Sequence, residues 1–431
     1  MSFFGTGTQR REEEDLLESE LIMISVDEAR TIVLNHNYPM GLEKVDLLTS
    51  LGRVIGEDIV APFNIPPWDN SAMDGYAVRF EDIKNASFDK PTKLKIIEEL
   101  PAGFLPKNQV GPRQATHIMT GAPIPQGADT VVRKEDTSSS GDNVHILAPP
   151  NKGENIRLAG ENVMRGNKVI QARTVIRPPH IGMLASFAKS FISVYQVPTV
   201  AILSTGDEVI DIDEEGDSSK IINSNTYSLA ALVKECGALP LMLGIARDDK
   251  REILAKITQG FSADVILTTG GVSVGEYDFV KDVLEEMGGE IKFCNVAMRP
   301  GKPTTFGLIA DKPIFGLPGN PVSCMVCFEE FVRPALLKKM GHTHLFRPQV
   351  EAILVDDVKT KKDFRFFIRV RLGFRGGLLC ATTTGDQGSG ILKSMIQANG
   401  LMVVTEDKKE IKAGEKVSVQ VLDNTFELES H

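Results

Sequence analysis

Long apolar runs are missing from this 431-residue chain. No stretch approaches the ~18 consecutive apolar residues that a membrane-spanning helix needs, so no span is expected. The opening segment, MSFFGTGTQRREEEDLLESE, holds neither an apolar core nor a cleavage pattern, so no signal peptide is expected and the chain reads as cytoplasmic. Aromatic residues are scarce, 6% with a single Trp, which argues against a groove that stacks single-stranded bases. Positive charge is in the minority. Lys and Arg number 48 against 58 Asp and Glu, and a net charge of −10 excludes a general phosphate-backbone binder. No nucleic-acid partner is expected, and any anionic ligand must be held by a few local cations and backbone N–H groups. The five cysteines are too few and too odd in number for a disulfide scaffold, which suits a reducing compartment. G-x-x-x-x-G-K-[ST], G-x-G-x-x-G and H-E-x-x-H are all absent, lowering the odds of a P-loop enzyme, a dinucleotide enzyme or a zincin.

What remains is an ordinary globular composition, 42% apolar and 25% charged, long enough for two to four domains. Residues 1–21 are polar, with a charged run from Arg10 to Asp15, and read as a disordered tail. Ser25 and Glu28 have capping-box spacing ahead of a helical period through Val26, Ala29, Ile32 and Val33. A strand-like segment is expected around 53–60. Residues 62–156 carry short apolar runs between Pro, Gly and polar turns, as a small β-rich domain does. From about 198 strands alternate with helices: PTVAILS, a helix over 223–236, LPLMLGIA, a helix over 250–260, DVILTT, a helix around 278–287, KFCNVAM, PIFGL and a helix after Pro321. That alternation predicts a doubly wound parallel sheet. From 347 onward KDFRFFIRVRLGF alternates in a β manner, predicting a small all-β domain.

Open parallel sheets bind ligands at the carboxyl ends of their strands. Four loops there carry matching chemistry: STGDE (204–208), RDD (247–249), TTGGVSVGEYD (268–278) and GLPGNPVS (316–323). Gly270, Gly271 and Gly275 let backbone N–H groups approach an anion, and Pro321 with Asn320 as N-cap opens another helix toward it. Any one loop read alone is an ordinary turn; four on one sheet edge are more than that. Asp207, Glu208, Asp248, Asp249, Glu276 and Asp278 offer hard oxygens that suit Mg²⁺, although Asp249 and Glu276 serve equally well as helix caps. In RPGKP, Arg299 and Lys302 flank a stiff turn fit for a small oxyanion or a phosphoryl group. PPWDNSAMDGYAV (66–78) and MTGAPIPQGAD (119–129) are turn-rich polar loops, with Asx-turns as the alternative for Asn70 and Asp74. Gly271–Gly275 also fits G-x-S-x-G, with Asp311 and His342 in the chain order of a hydrolase triad, but its surroundings are rich in carboxylates. Cys324 and Cys327 have C-x-x-C spacing within an apolar helix and read as core.

These motifs, in this order and joined by TTTGDQGSGILKSMIQANGL near the end, resemble the molybdopterin molybdenumtransferase family, which includes the E domain of gephyrin. The resemblance implies a multidomain α/β plus β architecture in an elongated homodimer. Its parts would be a stem (22–61 and 157–197), an inserted β-rich subdomain (62–156), an α/β molybdopterin-binding subdomain (198–340) and a barrel-like C-terminal β subdomain (345–427). The family inserts molybdate, its substrate, into adenylylated molybdopterin with release of AMP, using Mg²⁺. Its active site is thought to lie between the α/β domain of one subunit and the inserted domain of the other. By motif position, Asp69, Glu208, Asp248 and Asp278 would place metal and water, with Asp69, Glu208 and Asp278 as the metal ligands. Arg299 and Lys302 would hold molybdate or the pterin phosphate. Ser71, Thr120, Thr205, Gly270, Gly271, Ser273, Gly275, Pro318, Gly319, Asn320, Pro321 and Ser323 would bind the rest of the substrate. In IRLAGENVMRG (156–166) the family usually has an acid where this chain has Asn162, which shifts the burden to Glu161. A separate protein would supply the adenylylating step. The alternative that the resemblance carries is a scaffold protein on the same fold, as gephyrin also clusters receptors.

Overall fold

The computed structural model describes residues 23–216, 218–270, 279–423 and 427–428. The expected tail over 1–21 lies outside them. The chain forms two compact units, one of 46–49 with 57–192, the other of the residues up to Val45, Ser50–Gly56 and Ser193 onward.

The first of these units is built on a six-stranded sheet of β1 (Gly75–Val78), β2 (Thr92–Leu100), β3 (Gln114–Ile118), β4 (Thr130–Arg133), β5 (Thr137–Ser140) and β6 (Asn143–Ile146). Their spatial order is β4-β1-β3-β2-β6-β5. Val78, Leu94, Ala115, Val132, Val144 and Ile146 fill one of its two cores. TSSSGDN folds as the β5–β6 hairpin, with Ser140 opposite Asn143 and Gly141 at φ 55° in the turn.

The second unit opens with α1 (Val26–Asn35). Its capping box forms as the spacing predicts: the Ser25 hydroxyl accepts from the Glu28 amide at 3.2 Å, and the Glu28 carboxylate accepts from the Ser25 amide at 2.9 Å. Val26, Ala29 and Val33 then join the core of the α/β sheet. That sheet holds β7 (Thr199–Thr205), β8 (Leu239–Ala246), β9 (Val265–Thr269), β10 (Glu290–Phe293), β11 (Thr305–Ile309) and β12 (Lys312–Leu317) in the order β8-β7-β9-β12-β11-β10. β7, β8, β9 and β12 run parallel. β11 is antiparallel to both its neighbours, so the far edge of the sheet is a hairpin rather than a further crossover. Its helices include α2 (Ser224–Glu235), α3 (Lys250–Gly260), α4 (Phe279–Glu286) and α5 (Pro321–Cys327), the last continued by helical turns through Lys339. β7 leads to β8 on one side and the chain then returns to β9 on the other, so the order reverses between β7 and β9, where such sheets open a crevice.

The C-terminal part is a closed barrel of β13 (Gln349–Leu354), β14 (Arg365–Arg375), β15 (Leu378–Thr383), β16 (Gly400–Val404) and β17 (Lys416–Val421). Around the ring the order is β14-β15-β13-β17-β16, closed by pairing of β16 with β14. Ile368, Val370 and Leu372 point into the barrel. By the two-residue period of a strand, Phe367 and Arg369 face outward, and Phe367 joins the core of the α/β sheet. Among the described residues, no helix is long and apolar enough to cross a membrane.

Candidate functional site

The parallel strands end together. Thr205, Ala246, Thr269 and Leu317 are the last residues of β7, β8, β9 and β12, and the polar loops follow them at one sheet edge. Gly270 sits at φ +89°, and a Cβ there would lie 2.4 Å from the Thr205 carbonyl oxygen. Only glycine fits, for backbone and for space. Gly270→Ala should therefore lower unfolding stability by about 2 kcal/mol or more in a denaturant titration. The Thr205 hydroxyl is buried and has no hydrogen-bond partner among the described residues. Gly271, Ser273, Gly275, Glu276 and Asp278 lie outside the described residues. Asp311, the acid of the hydrolase alternative, occupies the turn between β11 and β12. That is the opposite end of β12 from the loop after Leu317, so it cannot serve a nucleophile in the loop after β9.

A residue that the sequence reading passed over ties the loops. Asn225, in the first turn of α2, donates to the Thr269 hydroxyl at 2.9 Å and to the Gly319 carbonyl at 2.7 Å. At α5, Asn320 stands at the N-cap and Pro321 follows, as expected, but the Asn320 side chain makes no capping bond. It lines a cavity instead. The Val322 amide, one of the open donors at this helix start, bonds the Ser389 carbonyl at 3.1 Å.

The acidic loops gather at the ends of β7 and β8. Glu208 and Asp248 are exposed. The Asp248 amide donates to the Asp207 carboxylate at 3.2 Å. Partial burial, and then the charges of Asp207 and Glu208, hold the Asp248 carboxyl above its ordinary value. Asp249 is a cap, accepting from the Arg251 and Glu252 amides at 3.0 Å. Among the described residues no three His, Cys, Asp or Glu side chains gather closely enough to hold a metal ion.

A cavity of about 600 Å³ lies between the α/β sheet and the barrel, lined by Arg299, Lys302, Pro318, Asn320 and Ser323 from the expected loops. The barrel adds Lys359, Arg369, Gln387 and Ser389, which sequence reasoning did not assign. Arg369 is 1% exposed. Its Nε donates to the Ser394 hydroxyl at 3.1 Å and its Nη2 to the Gly388 carbonyl at 3.0 Å, with no carboxylate partner among the described residues. Gln387 clamps its backbone, accepting from the Arg369 amide at 2.8 Å and donating to its carbonyl at 3.2 Å. Burial pulls the Arg369 guanidinium down to about 10, and Asp386 opposes this only weakly. Arg299 lies over the Phe364 ring at 5.1 Å. Asp357 is the one carboxylate among the lining residues, and Lys412 pairs with it at 3.1 Å. Four cations around one paired acid, on a chain of net charge −10, make this a place for an anion.

The other predicted residues belong to the β-rich unit. Asp69 accepts from the Ala159 amide at 2.7 Å and so binds the PPWDN loop to the IRLAGEN loop. The Ser71 hydroxyl bonds the Met73 carbonyl within its own turn. Asp74 accepts from the Thr120 amide and hydroxyl, each at 2.7 Å, and these bonds hold its carboxyl below the usual range. Asn162 is exposed, its amide bonded to the Ile65 carbonyl at 3.0 Å, while Glu161 accepts from the Leu158 amide at 3.0 Å.

A parallel α/β sheet with a crevice at its strand ends, joined to a barrel across a cationic cavity, is an architecture suited to phosphorylated or oxyanionic small molecules. Residues 24–188 match the MoeA N-terminal region (domain I and II), 201–338 the probable molybdopterin binding domain and 351–422 the MoeA C-terminal region (domain IV). The molybdopterin molybdenumtransferase of Nostoc sp. is 37% identical over 383 residues, covering 88% of each chain. That of Staphylococcus aureus is 35% identical over 400 residues, 92% of this chain and 95% of its own. The crystal structure of the molybdopterin biosynthesis MoeA protein from Pyrococcus horikoshii superposes with a TM-score of 0.82 at 32% identity, covering 93% of this chain and all of that one. The chain belongs to the molybdopterin molybdenumtransferase family.

Proposed function

We propose that this protein is a molybdopterin molybdenumtransferase, acting in molybdenum cofactor biosynthesis: it inserts molybdate into adenylylated molybdopterin and releases AMP. The observation that carries the reading is Arg369, a buried guanidinium without a carboxylate partner among the described residues, at the wall of a cavity that Arg299, Lys302 and Lys359 also line. A tetrahedral dianion compensates such a group better than water, because a charge already stripped of water is repaid by an opposite one at contact distance. In this reading Arg299, Lys302, Arg369 and Ser389 hold molybdate. Thr205, Gly270 and the Pro318–Asn320 turn, registered by Asn225, orient the phosphates of the substrate beside it.

Glu208 and Asp248 present only hard carboxylate oxygens, and partial burial, then the charges of Asp207 and Glu208, hold the Asp248 carboxyl above its ordinary value. No cluster of three ligands gathers among the described residues, and a pair of carboxylates is what Mg²⁺ needs, since it takes one or two and keeps its waters. In our reading Glu208 holds the ion and Asp248 orients its water, with Asp278 and Asp69 as the family resemblance implies. Mg²⁺, when bound, would neutralise charge developing on the pyrophosphate link. Arg299 and Lys302 screen the same charge from the other side as the link is hydrolysed and AMP leaves. The two dithiolene thiols of the pterin then bond to the molybdenum of the held molybdate, whose one displaced oxygen leaves as water with the two thiol protons. A homodimer belongs to the same proposal, and light scattering should return twice the 47.1 kDa chain mass.

The test is AMP release from adenylylated molybdopterin by the purified protein. Release should require both molybdate and Mg²⁺, and Asp69→Asn should slow it. Asn162→Asp, which restores the family's usual acid, should leave turnover within about threefold of wild type if Asn162 suffices to orient a ligand through its carbonyl. Release at background rates with authentic substrate would contradict the assignment.

A further inference from the structure

The turn that carries Arg299 and Lys302 is fixed from beneath by two buried side chains outside the expected site. Gly301 adopts φ +109°, and a Cβ at that position would lie 2.4 Å from the Cys327 sulfur, so the loop backbone rests directly on the thiol. Thr304 is fully buried; its hydroxyl donates to the Gly301 carbonyl at 2.7 Å and lies 3.0 Å from Cys327 Sγ. The sulfur in turn approaches the Gly301 carbonyl at 3.6 Å. The Lys302 carbonyl accepts from the Val296 amide at 3.0 Å and the Thr304 amide at 2.9 Å.

Cys324, three residues earlier on α5, lies 3.7 Å from the Thr269 hydroxyl, the group that Asn225 also binds. The C-x-x-C spacing thus sets one sulfur at the end of β9 and the other under the Arg299–Lys302 turn. Burial pushes both thiols up, Cys324 to about 12 and Cys327 further, so both stay neutral. Neutral buried thiols of this kind pack and donate weakly rather than react.

We propose that Thr304 and Cys327 are positioning residues for oxyanion capture, setting the pose in which Arg299 and Lys302 meet the anion. The proposal rests on the oxyanion reading of the cavity and deepens it. Placing two cations on a tetrahedral ion tolerates only about 0.5 Å of error, and the cations themselves stand on long stems above a five-residue turn. The Thr304–Gly301–Cys327 contacts are what remove the freedom of that turn.

The experiment measures molybdate binding to the full-length protein by calorimetry without pterin, and separately KM for molybdate and kcat in AMP release. Thr304→Val keeps the shape and removes the donor; Thr304→Ser keeps the donor. Thr304→Val should weaken molybdate binding and raise KM by about tenfold, the equivalent of one hydrogen bond, with kcat within about twofold. Thr304→Ser should bind within about twofold of wild type. Cys327→Ala should weaken binding in the same direction and Cys327→Ser should restore it, a pair that carries the test should Thr304→Val fail to fold. Equal binding by wild type, Thr304→Val and Cys327→Ala, whatever their melting temperatures, would overturn the proposal while leaving the cavity's role intact. No molybdate binding by the wild type would overturn the oxyanion reading and this proposal with it.

Discussion

Arg369→Gln should lower molybdate affinity by about 100-fold, the weight of one or two charge-assisted hydrogen bonds, while the anion-free protein melts within a few degrees of wild type. The two halves of that expectation have one cause. Arg369 is buried without a carboxylate partner among the described residues, and burial lowers its pKa to about 10. A base whose folded pKa is lowered takes stability from the fold at every pH below that value, and the loss is relieved only as pH rises through about 10. Removing the charge relieves it at neutral pH. Losing the bonds to Ser394 and Gly388 opposes that gain, and the carboxamide of Gln can reach at most part of them. Net stability should change little. What disappears is the anion's stabilising effect: molybdate should raise the melting temperature of wild type and not of Arg369→Gln. Arg369→Lys should fall between them, keeping the charge but not the planar fork. A variant that is strongly destabilised and still binds molybdate would assign Arg369 to architecture instead.

The second large effect is expected at the carboxylates. Glu208→Gln should cut AMP release by about 100-fold or more and abolish the rise in melting temperature that the proposed Mg²⁺ site should give the wild type. Asp248 sets the pH dependence. Its carboxyl is raised, by burial and then by the Asp207 and Glu208 charges, so ionising it costs folded-state stability above the ordinary carboxylate value. Mild acidification should relieve that cost in the metal-free protein. In the proposed function Mg²⁺ would supply the missing counter-charge, so its stabilising effect should be fullest above the raised Asp248 value and vanish below the ordinary carboxylate range. Asp248→Asn should flatten this profile. An unchanged profile in that variant would place the cation elsewhere.

Much of the fold was legible because its signals are local. Ser25 with Glu28 marks one helix start and Asn320 with Pro321 another, and apolar strands alternating with helices announce the parallel sheet. The β11–β12 hairpin was not legible. Its turn, Ala310–Asp311, carries positive φ at both residues without the Asn-Gly pair that usually advertises it. The strand expected over 53–60 is reduced to an isolated bridge at Ile55 and the pair Ile59–Val60. Gly56 and Glu57 interrupt it, and Asp58 turns its side chain to the Ala172 amide. The FRFFIRVRLGF run reads correctly as a strand with alternate residues outward, and outward arginines ordinarily mean solvent. Arg369 is buried only because the loop carrying Gln387 and Gly388 folds over it, a tertiary event with no local signature. Asn225 did have a signal, as the third residue of an N-S-N-T helix start directly after the sheet's first crossover loop. Cys324 and Cys327 read correctly as core, since periodicity reports burial, but it cannot say which loop each sulfur supports.

In the proposed function the oxyanion binds in the cavity between the α/β sheet and the barrel. Anomalous diffraction at the tungsten edge, from crystals soaked in tungstate as a molybdate stand-in, tests it most directly. The account predicts a single strong peak within hydrogen-bonding reach, about 3 Å, of the Arg369 guanidinium and of Lys302, lost in Arg369→Gln crystals. A cavity without a peak, or a peak that survives that substitution unmoved, would contradict it.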